Sequence, residues 1–444
     1  MKFLKAPLLA IALPVAAFGL GDWDLSELNL KDKLDFDLGG MDLEKLKFGS
    51  VGEFDLLGSK LNPQKKRKRE ECRPKDCPVP APVSSCTSKV NSNGNLESFT
   101  IEGPDCDFSP LDNVCFAERV TITGCVGLTA LPKLSLQVVE EMVAVTDNPD
   151  LADISGLSQL RTVGGDGQSD GNGQSGLSVT NNTSLQEIWG MDLCNLIEAP
   201  LDIEENPALE ALELPCLELA EDTDLDDNAL VVLNLPFMKT GRSNFNLRNN
   251  PIVAVNMPRV ASIEGNVNIN GEDATPPSGA LERQASRIAS LKAETAKRLE
   301  EKKALKKKGG SSFEEFCGRA PESAAVFGNM NIDQGNLLLE SVSLGCLGTV
   351  TGNLNLGNLS DGGNSVMTGE FLDLTGIVTA AQNLRVETNP VLATLETFSN
   401  LQFVGVNTTI CQNPELLESS VPSNIEEATQ GSFFFGDVCP PRDD

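Results

Sequence analysis

The stretch LDIEENPALEALELPCLELAEDTDLDDNALVVLNLP, residues 201–236, nearly repeats itself after 22 residues. In its first half Ile203 precedes Asn206 by three positions, and in its second half Leu225 precedes Asn228 by the same distance. The alternation of apolar and polar residues before each asparagine predicts a short strand with one side turned inward. The asparagine follows the strand, where its side chain can hydrogen-bond the backbone of a neighbouring coil and tolerate a tight turn.

The same pattern recurs along most of the chain. Between residues 125 and 272 the spacing is 22 to 24 residues, apart from one of 34 that includes the glycine-rich loop 164–176. The asparagine position is occupied in turn by Cys125, Asn148, Asn182, Asn206, Asn228, Asn250, Glu272, Gly335, Leu359, Asn389 and Asn413. A period of this length indicates coils that stack at roughly 4.8 Å. We therefore predict a mainly β, leucine-rich-repeat-like parallel β-solenoid.

The composition excludes several classes of function. The 444 residues include 64 acidic and 35 basic side chains, a net charge of −29, and neither histidine nor tyrosine. This charge argues against nucleic acid or an anionic membrane as a general partner. The missing histidine excludes Ser-His-Asp and Cys-His nucleophile systems and all His-ligated metal sites. We expect a protein that is not an enzyme and that needs no cofactor, although calcium would suit its acidic residues.

The N-terminal residues 1–19 have the charged start, short apolar run and small residues of a secretory signal peptide. No later segment is apolar enough to predict a transmembrane helix, so we expect a secreted, extracellular or cell-surface protein. An acidic, leucine-rich segment (20–69) follows and ends in KKRKR. This segment is either a pro-segment that is cleaved after Lys68 and Arg69 or a solvated linker.

Six segments follow from these patterns. They are a signal peptide (1–19), an acidic pro-segment or linker (20–69), a Cys/Pro-rich leader (70–98), a first solenoid (99–276), a basic helical linker (277–311) and a second solenoid (312–444). The linker is rich in Ala, Lys, Glu and Arg, which predicts a helix over about 281–308. Three roles remain open for this helix: a solvated linker, a contact with a partner helix or a polyanion, and a processing site at Lys306–Lys308.

The coils NPALEALELPCLEL, DLDDNALVVLNLPFM and NLRNNPIVAVNMPRVASIEGNVNI resemble the receptor L-domain, the leucine-rich β-helix unit of insulin- and EGF-type receptors. A similar unit occurs in fungal secreted proteins of cell-wall organisation. The stretches 108–124 and 311–333 resemble the short polar helix and cysteine with which such units start. The resemblance implies two L-domain-like units, at about 86–276 and 312–444, and a binding role. The chain has no kinase and no furin-like module, so the resemblance does not imply receptor signalling.

Twelve cysteines in a secreted chain imply disulfides. Cys194 and Cys216 are one period apart, which would bring their Cα atoms to roughly 5 Å in neighbouring coils and within disulfide range. We also predict pairing of Cys317 with Cys346 and of Cys411 with Cys439. The remaining six allow many connectivities, and the sequence does not choose among Cys72, Cys77, Cys86, Cys106, Cys115 and Cys125.

Four asparagines begin an Asn-x-Ser/Thr sequence, which predicts surface positions that carry a glycan. They are Asn181, Asn182, Asn358 and Asn407, of which the first two overlap. Trp189 is the one tryptophan beyond residue 69. We predict that it packs in the core or between coils rather than serving as a platform for a ligand.

Outward strand positions carry an acidic cluster in the middle of the first solenoid. In the predicted stack Asp202 lies beside Asp224, and Glu204 lies beside Asp226, so like charges are neighbours. Three interpretations are open: a wetted face that keeps the protein soluble, a calcium site or patch for a basic ligand, and a carboxylate pair that acts on polysaccharide.

We expect a secreted or cell-surface, non-enzymatic binding protein for an extracellular protein or glycan ligand. A polysaccharide-active β-helix enzyme and a structural component of the cell wall or extracellular matrix are the alternatives.

Overall fold

A computed structural model describes residues 87–90, 96–164, 176–197, 199–271, 274–307, 317, 324–334, 338–357 and 368–440. The predicted signal peptide, the acidic segment and most of the Cys/Pro-rich leader lie outside these residues. So do Lys68, Arg69, Cys72, Cys77, Cys86 and Asn358.

The described residues form a parallel β-solenoid with three strand faces, and its strands are numbered along the chain. The first face is the longest, and each of its strands pairs in parallel with the next. It consists of β2 (Phe99–Glu102), β3 (Val114–Thr123), β4 (Val138–Thr146), β6 (Gly176–Thr180), β9 (Leu201–Glu204), β12 (Thr223–Asp224), β15 (Phe245–Leu247), β18 (Val267–Asn270), β20 (Met330–Gln334), β23 (Leu354–Leu356), β26 (Leu384–Glu387), β28 (Thr408–Cys411) and β29 (Phe433–Gly436).

The other two faces use shorter strands. The second face consists of β1 (Thr87–Ser88), the N-terminal parts of β3 and β4, β5 (Thr162–Gly164), β8 (Asn195–Ile197), β11 (Leu219–Ala220), β14 (Thr240–Gly241), β17 (Ser262–Ile263), β19 (Ala325–Val326), β22 (Thr349–Val350), β25 (Thr379–Ala380) and β27 (Phe403–Val404). The third face consists of β7 (Glu187–Ile188), β10 (Ala211–Glu213), β13 (Val232–Asn234), β16 (Ala254–Asn256), β21 (Ser341–Ser343) and β24 (Leu372–Asp373). Helices α1 (Ala280–Lys307) and α2 (Ser423–Ala428) and four 3₁₀ turns, at Ser109–Leu111, Ser155–Leu157, Glu396–Phe398 and Glu418–Ser420, complete the described elements.

Aliphatic side chains of successive coils lie above one another inside the stack. Leu247, Ile269, Ile332 and Leu356 are in register on the first face and fully buried. Together with the inward residues of the other faces they form one continuous apolar core. The mainly β, parallel fold and the inserted helix predicted from the sequence are thereby confirmed.

The stack continues without a break across the boundary between the two predicted units. β18 pairs with β20, with Val267 opposite Met330, and β17 pairs with β19. The described residues therefore form a single solenoid rather than two separate units. Coils pair through space, so an insertion at a corner lengthens the chain between two strands without disturbing their register.

The insertion leaves the third face one strand short. The coil that contains β17 and β18 contributes no strand there, and β16 pairs directly with β21. The chain leaves the stack after Gly271, forms α1, and re-enters near Ala324. Of the helices in the described residues, none combines the length and apolar character needed to cross a membrane.

Helix α1 is docked on the third face, so the solvated-linker interpretation is wrong. It contacts β13, β16, β21 and β24. Leu291 lies in an apolar cluster with Val232 and Ala254, which also holds Ala211 and Ala280.

Three disulfides are resolved within the described residues. They join Cys106 to Cys125, Cys317 to Cys346 and Cys411 to Cys439. The last two are the pairs expected from the sequence, and the first settles two of the six unassigned cysteines. Cys194 and Cys216 are buried in contact with each other, and a disulfide between them stays a prediction.

Candidate functional site on the first face

A ladder of buried asparagines fixes where the strands of the first face end. The backbone N–H of Asn206 donates to Oδ1 of Asn228 at 3.0 Å, and its own Nδ2 donates to the carbonyl of Val179 at 2.8 Å. In the same way, the backbone N–H of Asn148 donates to Oδ1 of Asn182, and the backbone N–H of Asn182 donates to Oδ1 of Asn206. The asparagine thus bonds the neighbouring coils, as expected from the sequence.

The tight turn itself is made by the residue before each ladder asparagine. Glu205 and Asp227 have φ of 54° and 55°, in the left-handed region that is uncommon for residues other than glycine. Five equivalent positions share this conformation: Asp147, Asn181, Asn249, Thr388 and Gln412. Because these seven coils turn at the same place, outward side chains of their strands lie directly beside those of the neighbouring coils.

This alignment brings carboxylates of β9 and of the β12 coil together. Oxygen atoms of Glu204, Asp224 and Asp226 all lie within 4.8 Å of one another. Asp202 is opposite Asp224 in register and accepts a hydrogen bond from Ser178 Oγ at 3.1 Å instead. Three of the four predicted patch residues therefore converge, and the fourth lies at the edge. We call Glu204, Asp224 and Asp226 the carboxylate cluster.

Burial and mutual repulsion disfavour the charged forms of this cluster. The pKa of Glu204 is raised to about 8, first by burial and then by the charges of Asp224, Asp202 and Asp226. Burial also raises the pKa of Asp202 and of Asp226. Asp224 Oδ1 is buried and accepts no hydrogen bond. The cluster thus holds acidic oxygens in a setting that favours a nearby positive charge.

One protein cation reaches the cluster from the next coil. Arg248 Nε donates to Asp226 Oδ2 and the Arg248 backbone N–H donates to Asp226 Oδ1, each at 2.6 Å. Asp226 is only 4% exposed and is held by this pair. Glu204 and Asp224 point to the same place, and neither forms an ion pair with a basic side chain of the described residues, so they are the groups available to a ligand.

The carboxylate cluster separates two other polar zones of the first face. On its N-terminal side lie hydroxyls, with Thr146 Oγ1 donating to Thr123 Oγ1 at 3.2 Å. On its C-terminal side Asn246, Asn268, Asn331 and Asn355 form a chain of amide-to-amide hydrogen bonds. This amide zone was not expected from the sequence, although the recurring Φ-N-Φ pattern in FNL, VNI, MNI and LNL indicates it.

Other predicted site residues fall elsewhere. Asn181 is exposed and donates to Asp147 Oδ1, whereas Asn182 is fully buried with its Nδ2 donating to the Val145 carbonyl at 2.8 Å. The glycan prediction for Asn182 is therefore corrected, because a glycan on that nitrogen would displace the ladder. Asn407 is partly exposed, and its Oδ1 accepts from the Ser432 backbone.

Two further positions change their interpretation. Trp189 is 53% exposed, so the core role predicted for it is wrong. Glu387 lies close to Cys411 and Cys439, but the disulfide between these cysteines removes them as metal ligands.

Comparison of the chain with protein-family models gives no match. Comparisons with curated proteins and with solved structures give no match either. The likeness to receptor L-domains therefore remains a resemblance of residue pattern.

Proposed function

We propose that the chain is a secreted or cell-surface, non-enzymatic binding protein, and that the first face is its ligand surface. The observation that carries this proposal is the carboxylate cluster at the centre of a long, partly exposed strand face. A charge arrangement that destabilises the fold and raises a pKa is typical of a site with a function. The flanking hydroxyl and amide zones offer donors and acceptors to a protein or glycan.

The ligand group that suits the cluster is cationic. Bringing carboxylates of Glu204, Asp224 and Asp226 together is unfavourable unless a positive charge offsets their repulsion. Calcium ligands are carboxylate and carbonyl oxygens, so Ca²⁺ is one such group. A lysine, arginine or amino sugar of a larger ligand is another.

Three disulfides are compatible with an extracellular location, where such bonds persist. Together with the signal peptide expected at residues 1–19, they support the secreted part of the proposal.

A binding screen with two matched variants tests the proposal. The secreted protein is offered neutral, acidic and amino-sugar glycans and extracellular proteins, with and without Ca²⁺. We expect a ligand whose binding is lost in Glu204→Gln plus Asp224→Asn and retained in Glu205→Gln, an exposed carboxylate beside the cluster. Equal binding by all three proteins would refute the assignment of the surface.

The raised pKa of Glu204 favours one alternative, a polysaccharide-active enzyme. A carboxyl group such as Glu204, whose pKa is raised to about 8, stays protonated near neutral pH and can act as a general acid beside a second carboxylate. Glycan hydrolysis by the wild-type protein that disappears in Glu204→Gln would establish this alternative. Binding without product release favours the non-enzymatic function.

A further inference from the structure

The third face presents an acidic, apolar-floored surface to α1. Its floor is formed by Ala211, Val232 and Ala254, which are buried in one small apolar cluster. Carboxylates surround this floor along the whole length of the helix. We call these residues together the acidic groove: Ala211, Val232, Ala254, Glu187, Glu210, Glu213, Glu340 and Asp373.

The N-terminal half of α1 is tied to the groove by arginines. Arg283 Nε lies 3.1 Å from both carboxylate oxygens of Glu210. Arg287 lies 2.8 Å from Glu187 and 3.4 Å from Glu213. These arginine side chains are 48% and 29% exposed, but Glu210 is only 3% exposed and also accepts a hydrogen bond from the buried Gln284. Solvent and salt therefore reach these pairs only in part.

Two lysines hold the middle and the C-terminal end of the helix, and one of them is buried. Lys292 Nζ lies 2.9 Å from Glu340. Lys302 Nζ lies 3.0 Å from both oxygens of Asp373, whose side chain is fully buried. Lys302 thus holds the C-terminal end of α1 on the solenoid through a buried ion pair, while the N-terminal end depends on partly exposed ion pairs.

Every basic side chain of α1 from Arg283 to Lys303 has a carboxylate partner. Lys297 and Arg298 pair with carboxylates of the helix itself, and Lys303 adds Glu396 to its helical partner. Arg298 also donates to Asn256 Oδ1 and Ser343 Oγ on the third face. From Arg283 to Lys303 the described side chains of the helix therefore offer little unpaired positive charge to a polyanion, and the polyanion interpretation stays a prediction. Its charge matches the solenoid surface instead.

The solenoid does not need α1 to keep its strands paired. β16 pairs with β21 and β18 with β20 directly, on either side of the insertion. Few apolar side chains of α1 enter the groove: Ala280 and Leu291 are buried there, and Ile288 is partly buried. The helix is thus held by charge pairs together with hydrogen bonds at Gln284, Thr295 and Arg298. Another basic helix could form the charge pairs.

We propose that the acidic groove is a docking site for a basic amphipathic helix of a partner protein, and that residues 280–294 of α1 fill it in cis. Charge complementarity selects this partner: the groove is lined by carboxylates, and the whole chain carries −29. Opening of the N-terminal half of α1 exposes the floor and Glu187, Glu210 and Glu213, while Lys302 keeps the helix tethered. This inference concerns a different face from the proposed ligand surface and does not rest on it.

A fluorescent peptide with the sequence of residues 280–307 is the probe. In Arg283→Glu plus Arg287→Glu, groove carboxylates repel the cis helix, and we expect the full-length variant to bind the peptide at least about tenfold more tightly than wild type. Binding should weaken as NaCl increases. Lys297→Glu, which changes charge away from the groove, should bind as wild type does.

Hydrogen exchange of residues 280–294 accompanies the binding measurement. Faster exchange in the double variant without a gain in peptide binding would overturn the proposal, since the groove would then be open yet not bind. Unchanged exchange would overturn it too, because ion pairs would not be holding the helix. If the double variant does not fold, an excess of peptide should accelerate exchange of residues 280–294 in the wild type, and no acceleration contradicts competition for the groove.

Discussion

The first and third faces of the solenoid both carry carboxylates on outward strand positions, but the two faces differ in how these carboxylates are paired with basic side chains. On the third face each acidic side chain under α1 meets an arginine or lysine of that helix, as Glu210 meets Arg283. On the first face Asp226 meets Arg248, whereas Glu204 faces Asp224, and burial followed by the charge of Asp224 raises the pKa of Glu204. Carboxylates with a basic partner stabilise the fold. Glu204 and Asp224, which lack such a partner in the described residues, mark the surface where a cationic ligand would gain the most binding free energy.

The largest effect is expected at the buried pair of the third face. Lys302→Ala leaves Asp373 charged, buried and without its cation, which should lower the free energy of unfolding by about 3 kcal/mol in urea titrations. Lys303→Ala removes an exposed cation one residue away and should cost less than about 1 kcal/mol. Equal losses in the two variants would show that α1 is not latched at Lys302.

The next effect concerns the ladder that aligns the first face. Asn206→Ala leaves the Val179 and Glu204 carbonyls without the side-chain donor and should cost about 2–3 kcal/mol in the same titration. Asn249→Gly removes an exposed amide that donates to Asp227 and keeps a residue suited to the φ of 54° at this position, and we expect a change below about 0.5 kcal/mol. A loss as small at Asn206 as at Asn249 would mean that the ladder does not set the strand ends.

The carboxylate cluster predicts a pH dependence of the opposite sense from a stabilising ion pair. The pKa of Glu204 is higher in the folded protein, about 8, than in the unfolded chain, so the folded state binds more protons between these two values. Stability should therefore fall as the pH rises from about 5 through about 8. Glu204→Gln should flatten this part of the melting-temperature profile, and an unchanged slope would remove Glu204 as its source.

The smallest effect is expected at Trp189, next to β7 on the third face. Since its side chain is 53% exposed, Trp189→Ala should change the free energy of unfolding by less than about 1 kcal/mol. Removal of a core tryptophan would cost about 3–5 kcal/mol, so the titration distinguishes the exposed position from the core role predicted by the sequence.

The sequence was informative wherever a short period decided the outcome. The alternation around Ile203 and Leu225 predicted the parallel stack, and the spacing of Asp202, Glu204, Asp224 and Asp226 placed them on neighbouring coils. These predictions depend only on each coil repeating its neighbour, which residues 22 positions apart reveal directly.

What the sequence did not reveal depends on contacts between distant segments. The basic residues of α1 looked like free charge because their partners, such as Glu210 and Asp373, are about 70 residues away and belong to separate coils. Asn182 matched a glycan sequon and the ladder equally well, and only its burial decides between them. Trp189 was placed in the core by its residue type, but it follows the first strand of the third face, where its side chain is exposed.

The most direct measurement compares thermal midpoints at pH 8 after two carboxylates are neutralised on each face. Glu204→Gln plus Asp224→Asn on the first face should raise the midpoint, because repulsion is relieved. Glu210→Gln plus Glu340→Gln on the third face should lower it, because Arg283 and Lys292 lose their partners. A lower midpoint for the first-face variant would contradict the account, since its carboxylates would then be stabilising the fold rather than awaiting a ligand.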